Sequence, residues 1–182
     1  MRISVPLPIA YRLIGPGPVV LVSSLFDGKA GITPIAWTMP VSDEPPIVAL
    51  EIWRDHFIHK AILQTGDFVI NIPSSDMADT VVTLGKVSGA KVDKFKTYNL
   101  KEEKSKKIKS PRLKNAIGIL ECKLHPGKTF IKKYSVIIGD VVYAEADKEI
   151  FSDRWLPEKR GSPRIMHHLG GRIFSVPDTK II

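Results

Sequence analysis

The chain has 182 residues, 43% hydrophobic and 25% charged, the composition of an ordinary globular protein and long enough for one domain, residues 1–182, that buries roughly 70% of its unfolded surface. No apolar run approaches the length of a membrane span, and Pro6, Pro8, Arg12, Pro16 and Pro18 interrupt any secretion-signal core, so no membrane association is expected. A single cysteine, Cys122, excludes an internal disulfide and leaves a cytoplasmic location as the expectation.

The first element is a strand over residues 18–25, bounded by Gly15-Pro16-Gly17 before it and by the turn Asp27-Gly28 after it. Residues 31–41 resume as an extended segment broken by Pro34 and Pro40. A rigid polar connection, residues 42–46, leads to a mostly buried strand over 47–53 that carries Trp53 into the core. Asp55 predicts a capped helix over 56–64 with an apolar stripe of Phe57, Ile58, Ala61 and Ile62, stopped by Gly66. An apolar strand follows over 68–72. Asp76 predicts a second short helix over 77–84, with Gly85 as its stop.

Gly85-Lys86-Val87-Ser88-Gly89-Ala90-Lys91-Val92-Asp93-Lys94-Phe95 sets small residues among cations, which suits an anionic ligand. Glycine lets backbone N–H groups approach phosphate oxygens, Ser88 adds a hydroxyl donor, and the lysines supply charge. The expected ligand therefore carries a phosphate. This segment also begins the basic stretch: residues 86–114 hold 11 Lys and Arg against 3 acids, so the whole net charge of +8 resides there and the rest of the chain is neutral. Residues 101–109 read as an exposed, mobile lysine loop. A nucleic-acid surface would interleave stacking aromatics among the cations, and only Phe95 and Tyr98 qualify, so no nucleic-acid partner is expected.

Beyond residue 115 the β pattern returns over 117–124 and 134–146, where Gly139 marks a bulge or bend. A last strand over 172–176 follows the turn Gly170-Gly171. Short strands with few short helices and no sustained βαβ alternation predict a mainly β barrel over a doubly wound sheet. His56 and His59 are three apart with no third ligand nearby, so no metal site is expected. Cys122, in an apolar strand, reads as a small hydrophobe, and its spacing to His125 makes no site by itself. Trp37 and Trp155 offer flat faces suited to stacking on a ring.

Five blocks in order resemble the flavin reductase-like proteins with an FMN-binding split β-barrel, particularly the flavoredoxin-like branch. They are Gly17-Pro18-Val19-Val20-Leu21-Val22-Ser23, Thr33-Pro34-Ile35-Ala36-Trp37, Ser42-Asp43-Glu44-Pro45-Pro46-Ile47-Val48, Gly66-Asp67-Phe68-Val69-Ile70-Asn71-Ile72, and Val92-Asp93-Lys94-Phe95 with Leu120-Glu121-Cys122 and Gly139-Asp140-Val141-Val142 downstream. The resemblance implies a homodimer with FMN near the subunit interface. Its ring would lie against Thr33, Pro34, Ile35, Ala36, Trp37 and Thr38, and its phosphate against Arg54 and the Lys86, Ser88 and Lys91 segment. The chain departs from the family in having Thr33 for a common Asn, Ile58 for a phosphate-binding Thr, and Lys133-Tyr134 for an Asp-His pair. The second departure moves the phosphate toward Arg54, His59 and Lys86. The third leaves His167 or His168, beside Gly170-Gly171, as the implied substrate contact. The implied activity passes electrons from NADH or NADPH through FMN to an acceptor, with no catalytic side chain required because the chemistry belongs to the flavin. The alternative is a non-catalytic electron carrier fed by a redox partner protein. No Gly-x-Gly-x-x-Gly is present, so a nicotinamide would have to meet the flavin directly.

Overall fold

The computed structural model describes residues 4–129, 134–156 and 163–178. A 3-10 helix, Leu7–Leu13, precedes β1 (Gly17–Pro18), β2 (Val20–Phe26), β3 (Lys29–Ile35), β4 (Thr38–Ser42) and β5 (Ile47–Glu51). Then come α1 (Phe57–Thr65), β6 (Asp67–Ile72), a 3-10 turn at Ser75–Met77, α2 (Ala78–Gly85) and α3 (Lys94–Thr97). The remaining elements are β7 (Glu102–Glu103), β8 (Arg112–Leu113), β9 (Gly118–Thr129), β10 (Val136–Ala146), β11 (His167–Gly170) and β12 (Ile173–Ser175).

Seven strands form one antiparallel sheet in the order β3-β2-β6-β9-β10-β5-β4. Its two edge strands, β3 and β4, are joined only by Ala36 and Trp37. In a flat sheet those edges would stand about 29 Å apart, six spacings of roughly 4.8 Å. The three peptide links from Ile35 to Thr38 reach about 11 Å. The sheet must therefore curl until its edges meet, which is the expected mainly β split barrel, open along the β3–β4 seam. A three-stranded sheet, β1-β11-β12, and the pair β7-β8 lie apart from it.

Period-two alternation divides the interior. Along residues 19–22, Val20 and Val22 join Leu50, Ile58, Ile62, Phe68, Ile70, Cys122 and Ile137 inside the curl. Val19 and Leu21 point to the opposite face, against Ile32, Val81, Leu84, Phe95 and Leu113. The second cluster is what fastens α2 and α3 to the outside of the sheet. Gly139 is required where it stands: a Cβ there would lie 2.4 Å from Phe68 Cζ, and the β9–β10 register shifts between Ile137 and Gly139. The Asp27-Gly28 turn has φ of 49° and 75°, the left-handed pair that a two-residue hairpin needs.

Four local expectations are corrected. Trp53 is 61% exposed instead of sitting in the core. Asp55 does not cap α1: His56 occupies the N-cap without a side-chain bond, and Asp55 Oδ2 instead accepts from Trp53 Nε1 at 3.1 Å. Asp76 lies inside the 3-10 turn and caps nothing, while Gly85 is the last residue of α2 and not its stop. The lysine segment is not a loose loop. Buried Glu121 accepts from Lys106 N and Lys107 N at 2.8 and 2.7 Å, and Asp67 accepts from Lys109 N and Ser110 N, each at 3.1 Å. Arg112 completes the clasp by pairing with Glu103, Glu121 and Glu145. The lysine side chains remain exposed while their backbone is lashed to β6 and β9.

Candidate functional site

The candidate site lies along β3 and the residues that follow it, where residues more than fifty positions apart line one cleft. Beside Thr33 lies a cleft of about 230 Å³. Its walls come from β3 (Thr33), the entrance of α1 (Asp55, His56) and the segment after α2 (Lys86, Ser88, Gly89), with Lys94 at its side. Of the expected phosphate contacts, Lys86 and Ser88 thus stand together with Thr33.

Lys94 gives this cleft its electrostatic character. It is 2% exposed, and its Nζ donates to Leu84 O at 2.8 Å and approaches Thr33 Oγ1 at 3.4 Å. Both acceptors are neutral, and no carboxylate pairs with this ammonium among the described residues. Burial pulls its pKa down to about 8. The lysine is placed by local chemistry: Asp93 caps α3 by accepting from Lys96 N at 3.1 Å, which turns Lys94 and Phe95 inward together. Sequence reading credited Lys94 with charge but did not separate it from its exposed neighbours. The signal available was its position between an N-capping Asp and a core Phe.

Gly89 and Gly31 hold the cleft wall in shape. A Cβ at Gly89 would lie 2.9 Å from the Phe57 ring and one at Gly31 would lie 2.6 Å from it. Phe57 is therefore gripped between two residues that must be glycine, at the first position of α1. A buried ammonium without a counter-charge, an exposed lysine and serine, and the free N–H groups of a helix start are a donor set that fits a phosphate. Asp55, which also lines the cleft, is the one acidic wall.

Along the seam the character changes. About 13 Å of extended chain from Thr33, Ala36, Trp37 and Thr38 line a mostly apolar cleft with Tyr11, Leu50 and Glu51. Trp37 meets Tyr11 edge to face with centroids 5.3 Å apart. Burial raises the Glu51 carboxyl above its ordinary range, against the opposing pull of His56. On its other side Trp37 lines a smaller cleft with His168 and Gly170-Gly171. His168 Nε2 lies 3.2 Å from Gly171 O, and its ring tilts against Phe174. Tyr11 was missed in the sequence because the proline-interrupted segment around it carries no helical periodicity.

The other expected residues are placed differently. Pro34 packs toward Gly85, whose Cβ position is 3.4 Å from Pro34 Cγ, and Ile35 is buried in the barrel core. Arg54 is exposed next to the cleft but does not line it. His59 is buried on α1 with Nε2 unbonded, and burial followed by the charges of Arg54, His56 and Lys60 lowers its pKa, so it is poorly suited to act as a cation. Ile58 is likewise buried in the core. Lys91 lines an adjoining cleft instead of the Lys86 cleft. His167 is half-buried and paired in register with Pro18 and Ser175, away from Trp37. Lys133 lies outside the described residues. Trp155 meets Phe151 edge to face and packs over Gly118, far along the chain from the seam. Cys122 is fully buried, and burial pushes its thiol pKa well up, as a small core hydrophobe requires. His125 Nδ1 pairs with Asp140 at 2.8 Å and not with the cysteine. Among the described residues no group of three metal-ligating side chains converges. Among the described residues no helix is long and apolar enough to cross a membrane.

Comparison with known proteins agrees with the fold. The model of the flavin reductase like domain matches residues 13–168. The Escherichia coli protein YddH is 32% identical over 177 residues, covering 94% of this chain and 93% of its own. An FMN-binding domain of a flavin reductase-like enzyme from Shewanella baltica superposes with a TM-score of 0.83 at 25% identity, over 99% of this chain and 96% of that one. The flavoredoxin of Desulfovibrio vulgaris superposes with a TM-score of 0.82 at 23% identity, over 100% and 96% of the two chains.

Proposed function

Because the chain belongs to the flavin reductase-like domain family, we propose that it binds FMN and passes electrons from NADH or NADPH through it to an acceptor. The observation that carries this reading is the uncompensated ammonium of Lys94 in a cleft that also presents Lys86 and Ser88. An isolated buried cation is costly unless an anion joins it. The phosphate of FMN is that anion, and the seam running from Thr33 to Trp37 gives its ring a flat, mostly apolar wall.

When bound, FMN supplies the hydride and electron chemistry. The chain's own residues bind and orient it. Lys86, Ser88 and Lys94 hold the phosphate, Ala36, Trp37 and Thr38 flank the ring, and His168 stands on the far side of Trp37 where a second substrate enters. A homodimer completes the site: Trp37, Met39 and Val41 are exposed on or beside edge strand β4, and Trp53 is exposed near the end of β5. Covering such a strip is what a second copy achieves.

A carrier fed by a redox partner is the second reading, and the lashed backbone of residues 105–113 favours it. Lysines on a fixed backbone present charge to an acidic protein at lower entropic cost than a loose loop. One experiment separates the two. FMN-loaded protein is mixed anaerobically with excess NADH or NADPH, and flavin absorbance is followed. Bleaching within minutes supports the reductase, whereas bleaching only by dithionite or a reductase protein supports the carrier. Absence of any FMN affinity by fluorescence quenching would defeat both, and light scattering at about twice 20.2 kDa is the result expected for the dimer.

A further inference from the structure

Residues 101–109 carry Lys101, Lys104, Lys106, Lys107 and Lys109, all exposed. None of these lysines has an ion-pair partner among the described residues. The reason lies in how the neighbouring carboxylates are engaged. Asp67 and Glu121 turn inward and accept from the backbone amides of Lys106, Lys107, Lys109 and Ser110. Glu103 and Glu145 pair with buried Arg112, and Glu145 also accepts from Tyr143 Oη at 2.6 Å. Within the segment Glu102 is the one exposed acid. Charge is thus separated in depth, with carboxylates beneath and ammoniums outside.

Holding these lysines together is unfavourable by itself, since the screening length of about 8 Å at physiological salt exceeds the spacing of neighbouring residues. A loose loop would relieve the repulsion by moving. Here the backbone is bonded to β6 and β9, and Lys106 Nζ is held 6.0 Å over the Tyr143 ring. The ordering of the backbone is complete before any partner arrives, so a partner loses less entropy in meeting it.

The side chains select the kind of partner. The segment has no arginine to fork onto phosphate and no aromatic residue on which a base could stack. Its one apolar side chain, Ile108, is half-buried, so nothing projects to enter a lipid surface. Compact ammoniums at fixed positions complement a row of carboxylates. The position is also suitable. In the sheet order β9 stands three strands from β3, about 14 Å around the curl, and none of the five lysines lines the Lys86 cleft.

We infer that the exposed lysines of residues 101–109 are a docking surface for an acidic protein, which they hold beside the Lys86 cleft without covering it. The inference deepens the carrier reading and rests on it for what the partner exchanges, whereas the docking itself does not require FMN.

The test follows fluorescein-labelled decaglutamate by anisotropy on the full chain, with and without FMN. Wild type is compared with a quadruple variant in which Lys104, Lys106, Lys107 and Lys109 are each changed to Gln. A control variant changes Lys29, Lys60, Lys91 and Lys148 to Gln, removing the same charge from exposed positions elsewhere. Circular dichroism checks that both keep the fold. Wild type should bind at about 20 mM salt and weaken about tenfold or more at about 200 mM. The first variant should lose about tenfold or more and the control less than about threefold, with FMN affinity unchanged within about twofold by saturating decaglutamate. No binding by wild type, or equal losses in the two variants, overturns the surface. Competition between decaglutamate and FMN overturns it too, by placing the peptide in the Lys86 cleft. An oligothymidylate that binds more tightly than decaglutamate, and is lost with the same four lysines, overturns the assignment to an acidic protein. Absence of FMN affinity defeats the FMN reading alone, since the two variants still decide the docking surface.

Discussion

Lys94 Nζ lies 3.4 Å from Thr33 Oγ1 and donates to Leu84 O at 2.8 Å, so the start of α3 is joined to edge strand β3 and to the end of α2 through one buried ammonium. The bond ties the anion cleft to the seam, and it makes the cleft sensitive to the proton on a single nitrogen.

Lys94 has a pKa of about 8 in the free protein, below its unfolded value of about 10.4. An anion in the cleft stabilises the ammonium and raises that pKa, so above pH 8 binding must take up a proton. FMN affinity should therefore be flat from pH 6.5 to 7.5 and fall by up to about tenfold per unit above pH 8. The sign for folding is the opposite. Between pH 8 and 10.4 the unfolded chain binds the proton and the native one does not, so this group makes stability rise with pH. Lys94→Met should lose both dependences, which FMN titration and urea unfolding across pH 7–10 would read. A wild-type affinity that is level to pH 10 would remove Lys94 from the site.

Lys86→Ala tests the exposed side of the same cleft. A charge-assisted contact to phosphate is worth on the order of 1.5–3 kcal/mol, about ten- to a hundredfold in FMN affinity. Riboflavin, without the phosphate, should bind weakly to wild type and mutant alike. A Lys104/Lys106/Lys107 triple alanine is the control, since none of these lysines lines the cleft. Arg54→Ala should have a smaller effect than Lys86→Ala, because Arg54 stands beside the cleft and not in its wall. Equal losses in the triple mutant would move the phosphate to the lysine segment.

What could be read from the sequence was what local chemistry decides. Gly66 ends α1 with a φ of 75°, Asp27-Gly28 turns the first hairpin, and Gly139 makes room for Phe68, and each is visible as a glycine in an apolar frame. The barrel followed from strand spacing and from the ordered blocks. The largest misreading involves partners far along the chain. Residues 101–109 look like a solvated loop because the carboxylates that fix them, Asp67 and Glu121, lie about 42 and 15 residues away from the amides they accept. Asp55 looks like a cap, but its carboxylate is claimed by the indole of Trp53 two residues before it, a contact that helix-capping patterns do not anticipate. Thr33, Lys86 and Lys94 converge only in the folded chain, so the residue pattern could suggest an anionic ligand but could not single out the buried lysine.

The clasp at Glu121 should be the costliest of these hidden contacts to break. Its carboxylate is fully buried and serves Lys106 N, Lys107 N and Arg112 at once. Glu121→Leu orphans two backbone donors and leaves Arg112 short of a partner, for a loss of about 3–5 kcal/mol in urea unfolding. It should also release the segment. Trypsin should cut after Lys104, Lys106 or Lys107 much faster in the variant than in wild type under conditions where both are folded. Equal cleavage rates would show that the lashing does not restrain this backbone.

Gly139→Ala tests the fit between β10 and the core. The added methyl would start 2.4 Å from Phe68 Cζ, 2.9 Å from Phe68 Cε1 and 3.1 Å from Cys122 Cβ. Phe68 is fully buried, so its ring has no open space to enter, and overpacking of this kind costs typically about 1–3 kcal/mol. Phe68→Leu removes the ring atoms that clash. Alone it should destabilise by leaving a cavity, but combined with Gly139→Ala it should cost less than the two single losses added together. Urea unfolding of the two single variants and the double gives the coupling directly. Strict additivity would mean that the strand shifts away from the ring instead of pressing against it, and that the bulge at Gly139 is set by the backbone of β9 and not by Phe68.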